Sequence, residues 1–555
     1  MLGGHISEIE FNEGSQIHLE MNSVIIFVGP NNVGKSKALS DINELLQADS
    51  ESTVIVKKVK LVKDGNKQEM LEFMKPYESG YKRYQVANVS VEKDDIDKYD
   101  RLNKYRTLNG CFTKYIYANN MPSFRNMGQP IGANGNNNPI GKMMIDEEFR
   151  NSISETIRKA FNLEIQPYIS LNGEMKLVVG KEIDFGDETF HSERERQSEY
   201  FKRMEKYPAV DDQGDGIKSF LGLILEIQFE YYRTILIDEP EKYLHPPQAY
   251  MLGKTLGNFI NNTSNKQLLI STHSENFIKG LMDVIPERVN IVRITRAENT
   301  NRFDTINNET LEKIWSDPVL KYSNILEGLF YHNIVICEGE SDCKMYEIIY
   351  RHMKEEKKQW SETLFVYCNG KKKIPCVVEY IRNLGVNFVA VMDLDMFKEI
   401  QLLRDIVRAA GGDYERVKDN YRIMSGQISG SVQQQKVEDI RKKINTIFDE
   451  SNEKNVTSTL ISSIRETLKT DSSWTRLSDG IVPPGDATKA INVMIGYLNE
   501  LHVFPVPLSV GELEHFIREG TNHGAKWIEN ILSEYPDINS KEYDTIKDFV
   551  DSWRI

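Results

Sequence analysis

A chain of 555 residues exceeds what one hydrophobic core organises, and at roughly 150 residues per domain it predicts several units. Hydrophobic residues at 40% and charged residues at 27% are those of a soluble globular protein rather than a disordered or membrane one. The net charge of -14 excludes a broadly basic nucleic-acid binder, although clusters such as Lys371, Lys372 and Lys373 leave room for a local groove. No apolar run reaches the roughly 18 residues of a bilayer span, and MLGGHISEIEF lacks the basic and apolar regions of a signal peptide. A cytoplasmic location with no membrane partner is expected. Five cysteines (Cys111, Cys337, Cys343, Cys368, Cys376) form no CxxC pair, which argues for reduced, mostly buried thiols rather than a zinc knuckle or disulfide framework.

In chain order, SVIIFVG at 23–29 reads as a buried strand, GPNNVGKS at 29–36 as a Gly-rich loop, and KALSDINELL as a helix. That context suits a phosphate-binding loop. Gly29 and Gly34 permit the tight turn, and Asn32 lies in the loop whose backbone N–H groups cradle the phosphates. Lys35 reaches the β and γ phosphates of ATP, and Ser36 holds Mg2+. Residues from about 45 to 210 read as a mixed insertion and possible dimerisation element. Within it VIVKKVKLV suggests a strand, IQPYISLNGEMKLVV a hairpin turning at Asn172 and Gly173, and IGANGNNNPIG a loop. Asn119 or Asn120 is a candidate Mg2+ contact there.

Beyond it, DQGDGIKSFLGLIL at 211–224 has Gly214, Asp215 and Gly216 opening an apolar helix. TILIDE at 234–239 is an apolar strand ending in two acids; Asp238 would orient the Mg2+ shell and Glu239 would polarise the attacking water. QLLISTHS at 267–274 ends in His273, placed to contact a γ-phosphate. This set resembles the ABC-type ATPase heads of the SMC kind, without their long heptad arms and with a signature that departs from LSGGQ. In such heads the signature helix of one subunit points its N-terminus at ATP bound to the other, so the resemblance implies a homodimer or higher homo-oligomer formed through the heads, with Gly214 and Gly216 in the ATP site.

From about residue 329 the pattern starts anew. HNIVICEGESD is an apolar strand running into Glu338 and Gly339, LFVYCNGKKKIP supplies a second strand and a basic loop, and NFVAVMDLDMF a third ending in Asp393 and Asp395. Strands joined by helical crossovers imply a parallel sheet whose ligands gather at the carboxyl ends. An i, i+2 pair on a strand would place Asp393 and Asp395 on one face, with Glu338 on a neighbouring strand. Hard oxygen ligands suit Mg2+ or Mn2+. Residues 398–500 are polar and helical in pattern, an insertion, and VFPVPLSVGELEHF at 503–516 restores a strand-like run followed by acids.

These residues look like a TOPRIM domain, and an ABC-type ATPase followed by TOPRIM is the arrangement of the OLD (overcoming lysogenization defect) family of nucleases, the Gabija nuclease subunit among them. The resemblance implies Glu338, Asp342, Asp393 and Asp395 as metal ligands, with Glu512 or Glu514 as a late acid and Lys526 as a late catalytic lysine. The expected fold is α/β: an ABC-type P-loop ATPase domain over 1–328 and a Rossmann-like TOPRIM domain over 329–555, with parallel sheet and helical insertion. The expected activity is ATP-regulated, Mg2+-dependent DNA cleavage or nicking in phage defence, with a trigger protein or nucleic acid as possible partner. Two other classes compete: an ATP-driven DNA clamp that only holds metal, and a topoisomerase, which needs an attacking tyrosine.

Overall fold

A computed structural model describes the chain except residues 1, 51, 81–82, 87–88, 118–138, 171–174, 228–231, 298–299, 307–310, 313–314, 317–323, 360–361, 431–436, 451–456, 458–459, 462, 465–473, 475–476, 483–484, 519–522 and 554. Its contacts fall into two compact units, Met1–Phe330 and Tyr331–Ile555. Asn119, Asn120, Asn172, Gly173 and most of the Asn-rich loop at 131–141 lie outside the described residues.

The first unit begins with β1 (Gly3–Phe11), β2 (Gln16–His18), β3 (Val24–Val28) and β4 (Val56–Asp64); β1 pairs antiparallel with both β2 and β4. A small antiparallel sheet follows, built from β5 (Glu78–Gly80), β6 (Arg83–Val86) and β7 (Val89–Glu92). Next come β8 (Thr113–Tyr117), the antiparallel pair β9 (Ile165–Ile169) and β10 (Met175–Val179), then β11 (Thr234–Asp238), β12 (Gln267–Ser271), β13 (Val289–Ala297) and β14 (Thr300–Ile306). Six of these make the main sheet, in the order β14-β13-β3-β12-β11-β8. All neighbours in it are parallel except β14 on β13.

β3 shows why this order holds. All five of its residues, Val24 to Val28, are fully buried, as a central parallel strand covered on both faces requires. One face, carrying Ile25 and Phe27, shares a core with Leu236, Leu269 and Val292, with Leu39, Ile42 and Leu46 of the helix Lys35–Gln47, and with Ile6 and Phe11 of β1. The span from 45 to 210 contributes to these same layers: β4 completes the antiparallel sheet and β8 forms the edge of the main one.

The second unit is built on β15 (Asn333–Cys337), β16 (Thr363–Tyr367), β17 (Asn387–Met392) and β18 (Val503–Pro505), all parallel, in the order β16-β15-β17-β18. The crossover helices Glu340–Glu356 and Ile374–Asn383 join the first three. The helices Ile400–Ala409, Glu415–Gly430, Val437–Glu450 and Asp486–Glu500 fill the connection to β18. Trp527, Tyr543, Ile546 and Trp553 close the core over Val335 and Val389.

Candidate functional sites at two sheet edges

Register in the main sheet aligns Phe27, Ser271, Asp238 and Tyr117 across β3, β12, β11 and β8. The residues that follow β3, β12 and β11 therefore meet at one edge. Gly29, with φ of 137°, brings the Gly29–Ser36 loop so close to β13 that a Cβ there would stand 2.1 Å from the Ile294 carbonyl oxygen. Asn32 and Gly34 also have left-handed φ, 64° and 102°, which curls the loop before its helix starts at Lys35. The buried Lys35 ammonium donates to the carbonyl oxygens of Gly29 and Pro30 at 2.9 and 2.7 Å. Ser36 is exposed, and its carbonyl accepts the Tyr115 hydroxyl at 3.2 Å.

At the end of β11 Asp238 accepts a hydrogen bond from the Ser271 hydroxyl. Glu239 adopts a left-handed φ of 51°, a strained state for a residue with a Cβ, held by its amide donating to the Ser271 carbonyl at 3.0 Å. The turn leaves its carboxylate 3.8 Å from Nε2 of His273. Burial, then the nearby Lys35 charge, pushes the His273 imidazole down to about 4, so it is neutral at neutral pH. Sequence reasoning missed Glu241. Its Oε1 accepts the His273 amide at 2.7 Å, its Oε2 is buried without a hydrogen-bond partner, and burial pushes the carboxyl up to about 7. The second acid of EPE was the available signal. Gly214 and Asp215 are exposed at the start of the helix Asp215–Glu226, while Gly216 packs against the Tyr243 carbonyl, which a Cβ would meet at 2.7 Å.

In the second unit the acids gather at the carboxyl edge of the parallel sheet. Glu338 follows β15 and accepts the Asp393 amide at 3.0 Å. Asp342, on the first turn of the helix Glu340–Glu356, accepts the Gly339 amide at 2.8 Å. The expected strand-face pairing of Asp393 and Asp395 does not hold. β17 ends at Met392; Asp393 precedes a 3-10 turn, Leu394–Lys398, that contains Asp395. The turn forms because Leu394, Met396 and Phe397 bury themselves and the Leu394 amide donates to the Gly511 carbonyl at 2.8 Å. That contact also brings the Glu512 segment to the edge. Asp395 pairs with Lys371 at 2.6 Å and Lys398 at 3.2 Å, so Lys371 of the basic loop is here, joined by a lysine that sequence reasoning missed.

Ligand atoms of Glu512, Glu514 and His523 lie within 4.8 Å of one another, and His523 is a second addition. His515 stands 3.6 Å from Glu512. The Gly524 amide donates to Glu514 at 2.9 Å. Two residues on, Lys526 is exposed on the first turn of the helix Ala525–Glu534, without an ion pair among the described residues. Its side chain is not drawn into the cluster.

Burial raises Glu512, and it raises the three acids nearest the strand ends as well: Glu338 to about 7, Asp342 to about 6, and Asp393 well above the carboxylate range. Repulsion from neighbouring acids adds to the shift in each. Among the described residues none of the three pairs with a lysine or arginine. Such a set, all hard oxygen donors, fits a divalent cation of the Mg2+ or Mn2+ type. Raised acids bind more protons folded than unfolded, so their contribution to stability is present below about pH 4 and lost as pH rises toward 7. A cation replaces those protons. Without nucleotide, Mg2+ is expected to raise the Tm more at pH 8 than at pH 5.5, and less in Asp393→Asn; a Mg2+ effect indifferent to pH would remove the cluster as a cation site.

Two family models match: an AAA ATPase domain over residues 142–278 and an overcoming lysogenization defect protein-like TOPRIM domain over residues 329–395. The Old nuclease of Escherichia phage P2 is 23% identical over 447 residues, 68% of this chain and 74% of that protein. An ATP/GTP phosphatase of Helicobacter pylori is 39% identical over 77 residues, 14% of this chain and 21% of that protein. Among solved structures an Smc head bound to the C-winged helix domain of ScpA aligns with 55% of this chain and 99% of its own, at 10% identity and a TM-score of 0.32. Among the described residues no helix is long and apolar enough to cross a membrane. The chain has an OLD-like architecture: a P-loop ATPase domain followed by a TOPRIM-like α/β domain with a parallel sheet and helical insertions.

Proposed function

We propose that this protein is an ATP-regulated, divalent-cation-dependent DNA endonuclease or nickase, of the kind represented by the Gabija nuclease subunit and acting in antiphage defence. The observation that carries the reading is the meeting of Glu338, Asp342 and Asp393 at the carboxyl edge of a parallel sheet, in a chain that also carries a P-loop edge. Likeness to a phage protein named as a nuclease supports it. Bound at the acidic edge, divalent cations would supply an activated water and neutralise the leaving oxygen. Glu338, Asp342, Asp393, Asp395, Glu512 and Glu514 are the candidate ligands.

At the other edge Gly29, Asn32 and Gly34 shape the phosphate loop, Lys35 faces the β and γ phosphates, and Ser36 and Asp238 orient Mg2+. Glu239 positions the attacking water and His273 senses the γ-phosphate. The helix N-terminus at Gly214 to Gly216, turned toward a second copy's ATP, makes the active form a dimer. Supercoiled plasmid incubated with the protein and Mg2+ should become nicked or linear, and stay intact with a chelator. A plasmid that remains supercoiled in Mg2+, with and without ATP, overturns the reading.

Lys526 supplies transition-state charge in this scheme. It lies two residues past Gly524, whose amide donates to Glu514. Lys526→Ala should lower the single-turnover cleavage rate by about 10²-fold or more while metal and DNA still bind. A rate within a few-fold of wild type would leave it a solvated helix residue.

A further inference from the structure

We infer that Glu241 is a positioning residue for ATP hydrolysis: its side chain anchors the backbone at His273 and so fixes the imidazole against Glu239. The parallel ladder of β11 on β12 pairs Asp238 with Ser271, and the Glu239 amide donates to the Ser271 carbonyl at 3.0 Å. Two residues further along both chains the crossing bond is of another kind. There the His273 amide donates to Oε1 of Glu241 at 2.7 Å. The residues flanking His273 are tied elsewhere, the Thr272 amide to the Phe27 carbonyl of β3 at 3.2 Å and the Ser274 amide to the Thr272 hydroxyl at 3.0 Å. A side chain rather than the sheet therefore satisfies the main chain at His273, and it sets the direction in which the imidazole leaves the backbone.

The turn that carries Glu241 is itself closely held. Glu239 and Tyr243 both take left-handed φ, 51° and 69°. The Lys242 amide donates to the Glu239 carbonyl at 3.1 Å, and the Leu244 amide to the Glu241 carbonyl at 2.9 Å. Oε2 of Glu241 is buried, and the Thr272 hydroxyl and the Glu239 carboxylate are among the polar neighbours of its side chain. The carboxyl is thus turned into the protein, where it acts on the backbone, while Glu239 and the His273 ring stay partly exposed, 3.8 Å apart. Glu239 and His273 are each fixed by a bond to the other's chain, one at Ser271 and one at Glu241. A misplacement of about 1 Å at a reacting group can cost about 10²-fold in rate, so loss of the anchor under His273 is read in turnover.

This inference rests on the ATPase reading of Glu239 and His273, and steady-state ATP turnover by the full chain tests the two separately. His273→Ala should lower kcat by about 10-fold or more, and wild-type turnover in that variant would remove the reading itself. Glu241→Ala should also lower kcat by about 10-fold or more while ATP affinity stays within about twofold, because the anchor acts on hydrolysis and not on the P-loop. Glu241→Gln keeps an acceptor oxygen of the same reach and should recover most of the rate. Glu241→Asp keeps the charge on a shorter side chain and should not; it replaces Glu241→Ala in every arm if that variant fails to fold. Added to His273→Ala, the change at Glu241 should cost less than about twofold more, since two residues acting through one group are not additive. With His273→Ala slowed, three results would each overturn the inference alone: an unchanged kcat on removing the Glu241 anchor, losses that multiply in the double variant, or Glu241→Gln no faster than Glu241→Ala.

Discussion

Asp393→Ala is expected to lower DNA cleavage by about 10³-fold or more while ATP turnover stays within about twofold of wild type. The Asp393 carboxyl is held well above the carboxylate range, with burial first and the charges of Glu338, Asp342, Asp395 and Glu512 behind it. It also couples the cluster mechanically, because its amide fixes Glu338. Removing its carboxylate takes away a proposed cation ligand without touching the P-loop edge, which belongs to the other compact unit. Initial rates of plasmid cleavage and phosphate release, measured on one preparation, check both halves. Wild-type cleavage by the variant would move the chemistry away from this sheet edge.

Glu239→Gln is expected to slow ATP hydrolysis by about 10² to 10⁴-fold with nucleotide affinity retained, since an amide cannot take the proton of the attacking water. Its backbone φ of 51° sets the turn at the end of β11, its carboxylate lies 3.8 Å from His273, and Gln has nearly the same shape. The variant should accumulate as an ATP-bound dimer, visible as a shift in size on gel filtration with ATP. Normal turnover would exclude Glu239 as the base.

The apolar runs VIIFV, TILID and QLLIS, each leading into a loop with polar chemistry, made the P-loop edge legible, because a central parallel strand is marked by continuous burial. The strand β8, TKYIY, carries no such mark. As the edge of the main sheet it is half-exposed, and nothing local distinguishes it from its surroundings. The acids Glu338 and Asp393 were visible at the ends of apolar strands, but the geometry of the second pair was not. Whether Asp395 continues a strand or turns depends on the distant bond between the Leu394 amide and Gly511 and on burial of Phe397. The partners of Asp395 were hidden for the same reason: Lys371 comes from a different crossover, and Lys398 reaches back only because the chain turns. Glu241 is a milder case, a repeated acid whose role depends on the backbone of His273 across the sheet.

The central claim is that nucleotide at one edge governs cleavage at the other. Its most direct measurement is the initial rate of plasmid cleavage in saturating Mg2+ with no nucleotide, with ATP, and with a non-hydrolysable ATP analogue. The account expects the rates to differ several-fold between bound and nucleotide-free protein, with Lys35→Ala fixed at the nucleotide-free rate throughout. Equal rates in all three conditions at saturating nucleotide, from protein that binds ATP, would contradict it.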